Sequence, residues 1–273
     1  MQMLRQPPTR LIRRTYHLRR VAGALLCLLL VGMLLYDWQQ SQPYNDGTWA
    51  RVLATGVLTV GMDASYPPFA DVRGTQPEGL DVDIANEIGR RLGVKVQIAN
   101  MGFDGLYEAL KDQQVDALIS ALPVDPTRVG TVLYSRSYVD AGQAIVSRDG
   151  RYPDMASLDG RTLAVEYGSE GDETARLWQR RLHVLKIVHF TTADDALNAL
   201  QQGQADAALC DTITTRLYIA KHPGLVISPE LVTHSPYAAA TRTSSYDLAG
   251  AINDALDAMQ KDGTLTVILD RWL

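Results

Sequence analysis

Cysteine is scarce in this chain, which contains two among its 273 residues. Cys27 lies in an uncharged stretch near the N-terminus, so the remainder of the chain holds only Cys210. A single cysteine cannot form an internal disulfide, and its apolar neighbours predict a core position. The fold must therefore be stabilised by burial of hydrophobic side chains, which make up 46% of the sequence.

The sequence also lacks the signatures of several enzyme classes. It contains no Gly-x-Ser-x-Gly segment for a nucleophilic serine and no glycine loop for phosphate binding. The histidines show no metal-ligand spacing; they are His17, His183, His189, His222 and His234. We therefore expect no metal site, no cofactor and no catalytic residue, and we predict that the protein is not an enzyme.

Charge is distributed unevenly along the chain. Residues 1–20 contain six arginines and no acid, so the formal net charge of -5 leaves -11 for the rest of the chain. An acidic body argues against nucleic acid as a partner.

The basic segment 1–20 is followed by a run of uncharged residues, 21–36. Arginines before this run and Asp37 after it orient the N-terminus towards the cytoplasm. Its length lies between that of a signal-peptide core and a full membrane span of about 20 residues. We favour a transmembrane anchor over a cleaved signal sequence, followed by a tether over 37–50. In both cases the rest of the chain lies outside the cytoplasm.

One segment of the chain occurs twice. Residues 109–120 read Ala-Leu-Lys-Asp-Gln-Gln-Val-Asp-Ala-Leu-Ile-Ser, and residues 199–210 read Ala-Leu-Gln-Gln-Gly-Gln-Ala-Asp-Ala-Ala-Leu-Cys. Each copy is typical of a helix end, a polar turn and a short apolar strand. The repeat predicts two similar α/β lobes, and the alternation of strands and helices around both copies favours mostly parallel sheets.

Ligands of open α/β sheets gather beyond the carboxyl ends of the strands. In the two repeated copies these positions are residues 121–128 and Asp211. We therefore expect a binding site that combines these two segments.

Seven short segments carry a resemblance to a known family. In chain order they are Tyr66-Pro-Pro-Phe69, Gly79-Leu-Asp-Val-Asp83 with helical spacing after it, Phe103-Asp-Gly-Leu106, Asp125-Pro-Thr-Arg128, Gly168-Ser-Glu170, Asp206-Ala-Ala-Leu-Cys-Asp211 and Asp262-Gly-Thr-Leu265. Over residues 51–273 the chain resembles the family 3 extracellular solute-binding proteins, the polar-amino-acid receptors of ABC importers.

The resemblance implies an α/β fold of the periplasmic binding protein type II kind. Lobe 1 is predicted over 51–140 and 236–273, and lobe 2 over 141–235. The lobes would close about a hinge, for which we predict the segments 140–142 and 232–235. The implied function is capture of an amino acid or similar small polar solute for an ABC permease. We expect a monomer that lies in the periplasm or outside the cell.

The resemblance also implies the ligand-binding residues, which are Asp63, Tyr66, Phe103, Ala121, Arg128, Ser169, Glu170 and Asp211. Arg128 offers a planar fork of donors for a carboxylate, and Asp211 is expected to bind an ammonium group or to cap the helix that follows it. Tyr66 and Phe103 would cover the apolar part of the ligand. Asp63 has two alternatives, a contact with a cationic side chain and a structural role.

Two residues depart from the family pattern. Pro123 stands where the family usually has serine or threonine, and it offers neither an N–H nor a hydroxyl donor. Asp125 replaces a usual threonine and lies three residues before Arg128, so we expect it to pair with that arginine. These departures leave open an unusual amino acid, an amine or another small polar molecule as the ligand. We expect Asp81 and Asp83 to be capping and solvated residues rather than metal ligands.

Two alternative functions follow from the same resemblance. Cyclohexadienyl dehydratases resemble this family, and Glu170 or Glu173 would be their proton donor here. A ligand-sensing domain is the other alternative. It would need a separate partner, because the predicted cytoplasmic segment of about 20 residues is too short for an output domain.

Overall fold

The structure is a computed structural model that describes residues 25–26, 28–34, 45–73 and 76–273. The chain divides into two compact units, Met1–Asn45 and Asp46–Leu273. In the first unit, residues 25–26 and 28–34 are helical. No described helix is both long enough and apolar enough to cross a membrane. The predictions for segment 1–20, for residues 21–24, 27 and 35–36, and for residues 37–44 lie outside the described residues.

The second unit alternates helices and strands. Its helices are α1 (Thr48–Thr55), α2 (Leu80–Leu92), α3 (Leu106–Lys111), α4 (Glu170–Gln179), α5 (Ala193–Gln201), α6 (Thr212–Lys221), α7 (Tyr246–Asp262) and α8 (Thr264–Trp272). Its strands are β1 (Val57–Met62), β2 (Ser65–Tyr66), β3 (Ala70–Arg73), β4 (Gln76–Glu78), β5 (Lys95–Asn100), β6 (Ala117–Leu118), β7 (Val132–Asp140), β8 (Gln143–Ser147), β9 (Arg161–Glu166), β10 (Leu185–Phe190), β11 (Ala207–Asp211), β12 (Val226–Leu231) and β13 (Pro236–Arg242). Short 3-10 turns cover Phe103–Gly105, Pro126–Arg128 and Met155–Leu158.

Two five-stranded sheets form the framework. The first sheet has the order β5-β1-β6-β13-β7, and the second has the order β10-β9-β11-β8-β12. In each sheet two pairings are parallel and two are antiparallel. The prediction of mostly parallel sheets is therefore wrong, and both sheets are mixed. The antiparallel pairings involve β7, β8, β12 and β13. The chain passes from the first sheet to the second between β7 and β8, and it returns between β12 and β13. These strands enter their sheets without the crossover helix that a parallel pairing requires.

The two repeated segments make the same hydrogen bonds in the two sheets. In the first copy, the N–H of Asp116 donates to the carbonyl of Thr59 at 2.8 Å, and its Oδ2 accepts from the Thr59 N–H at 3.0 Å. In the second copy, Asp206 makes the equivalent pair of bonds with Thr162, at 2.9 and 2.8 Å. The aspartate of each copy thus fixes the register of its strand against the neighbouring strand.

Apolar side chains pack on both faces of each sheet. One face of the first sheet is covered by residues of α2 and α7, such as Ile84 and Ile252, and its other face by Leu106 and Leu110 of α3. Cys210 lies in the core of the second sheet, as predicted, and burial raises the pKa of its thiol far above the usual range.

The second unit begins before the start predicted at residue 51. Asp46 accepts hydrogen bonds from the Arg242 guanidinium at 3.0 Å and from the Ser245 hydroxyl at 2.7 Å, and helix α1 starts at Thr48. The tether predicted over 37–50 is therefore wrong for residues 46–50. Those residues are held to the rest of the second unit by the buried ion pair of Asp46 with Arg242, which sequence periodicity does not reveal.

Two connections join the sheets, one after β7 and one before β13, and they lie side by side. Asp140 accepts from the N–H of Gly142 at 2.9 Å and from the N–H of Ser235 at 2.8 Å. A side chain at Gly142 would place its Cβ 2.0 Å from the carbonyl oxygen of Thr233, so the close approach requires glycine there. These connections coincide with the segments predicted as hinges, whose motion stays a prediction.

Candidate functional site

The candidate site is a cavity of about 340 Å3 at the carboxyl ends of β1, β5 and β6. Its lining residues are Asp63, Ser65, Tyr66, Phe103, Ser120, Ala121 and Tyr237. Four of the predicted ligand-binding residues thus meet here. A larger depression of about 870 Å3 lies beside β10 and α5, but it contains none of the predicted residues.

Hydrogen bonds of Asp63 hold together the segments that form the base of the cavity. Its carboxylate accepts from the N–H of Ser65 at 3.1 Å, from the Ser65 hydroxyl at 2.6 Å and from the N–H of Phe103 at 2.9 Å. Its own N–H donates to the Ser120 hydroxyl oxygen at 2.9 Å. Asp63 therefore has the structural role that the sequence left open, and it still presents negative charge to the cavity.

Aromatic side chains form the mouth of the cavity. Tyr66 stacks on Phe69 with ring centroids 5.5 Å apart, and Phe69 packs against Tyr237 at the same distance. Phe69 is buried, whereas Tyr66 and Phe103 are 55% and 42% exposed. Exposed aromatic rings beside a polar floor provide a surface on which the apolar part of a small ligand can pack.

A buried carboxylate lies behind the cavity. Asp81, in the first turn of α2, is fully buried, and it accepts from the N–H of Ala121 at 2.5 Å and from the Tyr138 hydroxyl at 2.8 Å. Burial raises the pKa of this carboxyl to about 7, although both hydrogen bonds lower it. The expectation of a solvated Asp81 is wrong, and Asp83 is likewise bonded, to Arg271 and Trp272.

Ala121 occupies the left-handed region, with a φ of +44°, which is unfavourable for a residue with a Cβ. The short hydrogen bond to Asp81 holds its N–H in this conformation. Asp81 therefore sets the position of a backbone segment that lines the cavity.

Arg128 lies outside the cavity, contrary to the arrangement expected of a ligand-binding residue. Its guanidinium carbon is 4.1 Å from the centre of the Tyr107 ring, and its Nε is 3.3 Å from Oδ2 of Asp125. The pairing with Asp125 that the sequence predicted is thus present. Arg128 lines a separate depression of about 460 Å3 with Tyr107 and Lys111.

Asp125 has a second role, as the cap of the 3-10 turn that carries Arg128. Its Oδ1 accepts from the Thr127 hydroxyl at 2.6 Å and from the Thr127 N–H at 2.8 Å. These bonds and the nearby guanidinium lower the pKa of the Asp125 carboxyl. Pro123, just before this turn, bridges to Tyr237 at the edge of the cavity.

Asp211 ends β11 in the second sheet and caps α6, because its Oδ1 accepts from the N–H of Thr214 at 2.8 Å. The pKa of the Tyr237 hydroxyl is raised to about 12, first by burial and then by Tyr66, Asp211 and Asp81. Asp211 does not line the cavity of the first sheet.

The loop before α4 carries the remaining two predicted residues. Ser169 caps the helix by accepting from the N–H of Asp172 at 3.1 Å, and Glu170 is exposed in the first turn. Asp172, which the sequence did not single out, accepts from the N–H of Gly168 at 3.0 Å and from Arg176 at 2.8 Å. The arginine bond lowers the pKa of Asp172, despite burial, and the pair holds the loop in place.

Sequence reasoning also missed three residues of the cavity wall. Ser65 lies at the start of β2. Ser120 lies two residues after the end of β6 and one residue before the range 121–128 that the strand-end rule predicted. Tyr237 comes from β13, far along the chain, and no local signal points to it. In the described part of the chain, no three His, Cys, Asp or Glu side chains are grouped to bind a metal ion.

Residues 58–273 match the family described as bacterial extracellular solute-binding proteins, family 3. The chain belongs to this family. The resemblance identified from the short segments is therefore confirmed, and the family's name supports a location of the second unit outside the cytoplasm.

Relatives of this family 3 protein bind different amino acids. The putative ABC transporter arginine-binding protein 2 of Escherichia coli strain K12 is 26% identical over 225 residues, which is 80% of this chain and 91% of the relative. The L-cystine-binding protein TcyJ of the same strain is 28% identical over 267 residues, 94% of this chain and 96% of the relative. The crystal structure of the ancestral amino acid-binding protein AncCDT-1, a precursor of cyclohexadienyl dehydratase, is 29% identical with a TM-score of 0.52, covering 82% of this chain and 98% of that one.

Proposed function

We propose that this family 3 solute-binding protein captures an amino acid or a similar small polar solute and delivers it to an ABC permease. The observation that carries the proposal is the cavity at the strand ends of the first sheet, which combines exposed aromatic rings with the Asp63 carboxylate, while Asp211 ends the corresponding strand of the second sheet. Relatives named for binding arginine and cystine support the ligand class.

In the proposed complex, the ligand lies between two lobes, 51–140 with 236–273 and 141–235. Tyr66 and Phe103 cover its apolar part, and Ala121 lies at its base. Asp211 binds its ammonium group, and Ser169 and Glu170 approach from the second sheet as the lobes close. Arg128 reaches a ligand carboxylate only after it leaves Asp125 and Tyr107.

The Asp211 assignment can be tested without loss of the helix cap. We expect Asp211→Ser to keep the bond to the Thr214 N–H, because serine is as good a cap as aspartate, and to remove the charge that binds the ligand. Asp154→Ser is the matched control, since Asp154 caps the turn Met155–Leu158 through the same kind of bond, to the Ser157 N–H at 2.8 Å.

The measurement is thermal unfolding of each variant with a panel of amino acids, followed by calorimetric titration. A ligand at a hundredfold excess over its Kd stabilises the wild type by about 2.7 kcal/mol. Asp154→Ser should keep this stabilisation and Asp211→Ser should lose it, while both melt close to the wild type without ligand. No stabilisation of the wild type by any member of the panel would refute the proposed function.

A membrane anchor over 21–36, a monomeric state and a permease as partner belong to the same proposal. The basic segment 1–20 and the uncharged run after it support the anchor. The tether would then cover residues 37–45, because the body begins at Asp46.

We propose no catalytic activity. The relation to a precursor of cyclohexadienyl dehydratase raises that alternative. However, its proton-donor candidates Glu170 and Glu173 are both exposed in the first turn of α4 and are not enclosed in the cavity. A carboxyl group in water is a poor proton donor at neutral pH, since burial is what raises its pKa.

A further inference from the structure

Three backbone donors around the cavity are already bonded to the protein. The Ala121 N–H donates to Asp81, the Asp63 N–H donates to Ser120, and the Phe103 N–H donates to Asp63. Pro123, at the cavity edge, has no N–H to donate. A ligand carboxylate entering this cavity would have to compete with these acceptors.

The arginine proposed to bind a ligand carboxylate is restrained. Arg128 is 46% exposed, pairs with Asp125 and stacks on Tyr107. An exposed ion pair and an exposed cation–π contact each weaken a competing interaction of the same arginine by a few-fold. Leaving both therefore reduces the affinity that Arg128 could give a carboxylate by roughly tenfold.

Carboxylates, in contrast, lie in the cavity and at the matching strand end of the second sheet. Asp63 lines the cavity, and its charge remains although its oxygens accept bonds from Ser65 and Phe103. Asp211 ends β11; its Oδ1 accepts from the Thr214 N–H, and within the described part of the chain its Oδ2 accepts no hydrogen bond. Glu170 adds a further exposed carboxylate at the proposed second-sheet side.

From this imbalance we propose that the site selects its ligand by a cationic group and gains little from a carboxylate. A primary amine or guanidine without a carboxylate then binds as tightly as the amino acid from which it differs only by that group. This inference rests on the proposed function and narrows its ligand class to small organic cations.

The test is calorimetric titration of three matched pairs against the full chain: arginine and agmatine, lysine and cadaverine, ornithine and putrescine. The expected result is that, in the pair that binds most tightly, the Kd of the amine is within about threefold of the Kd of the amino acid, or lower. If the site instead binds the ligand carboxylate through charged hydrogen bonds, the amine should bind more weakly than the amino acid by on the order of 10- to 100-fold, because it lacks those bonds.

The outcomes distinguish failure of this inference from failure of the proposed function. Binding of an amino acid more than tenfold tighter than its amine overturns the inference and leaves the proposed function standing. The same holds if a neutral amino acid such as cystine binds and all three cationic pairs fail. If neither the pairs nor any amino acid binds, the proposed function itself fails.

A charge-removing variant tests the restraint on Arg128. Asparagine at position 125 keeps the cap bond to Thr127 and removes the anion, so Asp125→Asn should improve arginine binding by about 3- to 10-fold and leave agmatine unchanged. Asp149→Asn is the matched control, because Asp149 is an exposed acid paired with Arg151 away from the site. An unchanged ratio of arginine to agmatine affinity in Asp125→Asn would show that Asp125 does not restrain Arg128 and would overturn that step.

A second variant restores a donor in place of the proline. Pro123→Ser introduces an N–H and a hydroxyl at the cavity edge, so it should also favour arginine over agmatine. A loss of both affinities with an unchanged melting temperature would mean that Pro123 contacts the ligand in another way, and it would count against the inference.

Discussion

Replacing Asp81 with asparagine removes the charge buried behind the cavity and keeps both of its hydrogen bonds. The amide oxygen can accept from the Ala121 N–H, as the carboxylate does at 2.5 Å. The amide nitrogen can donate to the Tyr138 hydroxyl, which lies 2.8 Å from Oδ1. The two proteins then differ at this position mainly in whether a titratable group is present.

The magnitude follows from the pKa. Burial raises the pKa of Asp81 from 3.8 to about 7, so the folded protein binds a proton here that the unfolded chain releases at lower pH. Its contribution to stability is therefore complete below pH 3.8 and is lost as pH rises towards 7. Each pKa unit corresponds to about 1.4 kcal/mol, so the loss is on the order of 4 kcal/mol. Asp81→Asn lacks this loss.

The assay is urea unfolding of the wild type and Asp81→Asn between pH 4 and pH 8. We expect the variant to gain on the wild type as pH rises, by roughly 1 to 2 M in urea midpoint at ordinary slopes. Every other ionisable group is present in both proteins, so its effect cancels in the difference. Asp83→Asn, two residues further along α2, controls for any general effect of losing an acid there.

Parallel stability curves for the wild type and Asp81→Asn would refute the reasoning. They would mean that the Asp81 carboxylate keeps the same ionisation in the folded and unfolded states, so that the hydrogen bonds from Tyr138 and Ala121 outweigh burial. A variant that is less stable by the same amount at every pH would show a packing defect in place of a charge effect.

Two further sets of changes test the framework. Gln113 and Gly203 occupy equivalent positions in the two repeated segments, and both have left-handed backbones, with φ of 60° and 76°. Glycine adopts this conformation without the cost that a side chain adds. Gln113→Gly should therefore raise the free energy of unfolding by about 0.5–1 kcal/mol, and Gly203→Gln should lower it by a similar amount. Opposite signs in urea unfolding would confirm this, and two changes of the same sign would contradict it. Asp46→Asn leaves the buried guanidinium of Arg242 without its anion and should lower the free energy of unfolding by about 3–5 kcal/mol. Asp149→Asn, which breaks an exposed ion pair, should leave the free energy of unfolding nearly unchanged. Equal effects of these two would show that the start of the body at Asp46 is not stabilised by the ion pair.

Features with local signals were predicted well from the sequence. Thr192, a residue type that favours helix starts, caps α5 by accepting from the Asp195 N–H at 3.1 Å, and Gly93 ends α2 in the left-handed conformation that glycine favours. In these cases one residue next to an apolar pattern satisfies backbone groups at a helix end.

Strands β7 and β12 were not predicted, because neither follows a regular alternation. The register of β7 against β13 shifts twice, and its burial pattern is irregular. Strand β12 lies at the edge of its sheet and contains Pro229, which is tolerated at an edge but weakens a strand signal. Without these strands the sheets look more parallel than they are.

The site was predicted in part for a similar reason. Residues that lie just beyond strands, such as Asp63 and Ala121, could be placed by the strand-end rule and the family resemblance. The burial of Asp81 could not be predicted, because its partners Ala121 and Tyr138 lie 40 and 57 residues away. An acid in the first turn of a helix is usually exposed, whereas Asp81 is enclosed together with the Tyr138 hydroxyl of β7.

The repeat explains how two strand ends of similar structure present different chemical groups. Asp116 and Asp206 make the same register bonds in both sheets, so the two strand ends are built alike. Ala121 follows the first copy and Asp211 follows the second, at equivalent positions. Ala121 contributes a backbone bonded to the Asp81 carboxylate behind it, whereas Asp211 brings a carboxylate of its own to the strand end. Asp63 lines the cavity at the end of β1 and Asp211 ends β11, so a carboxylate lies at a strand end of each sheet, and the one arginine proposed for the site is paired elsewhere. That shared sign is the physical reason to expect a cation as the ligand, and it makes the comparison of arginine with agmatine the most informative binding measurement on this protein.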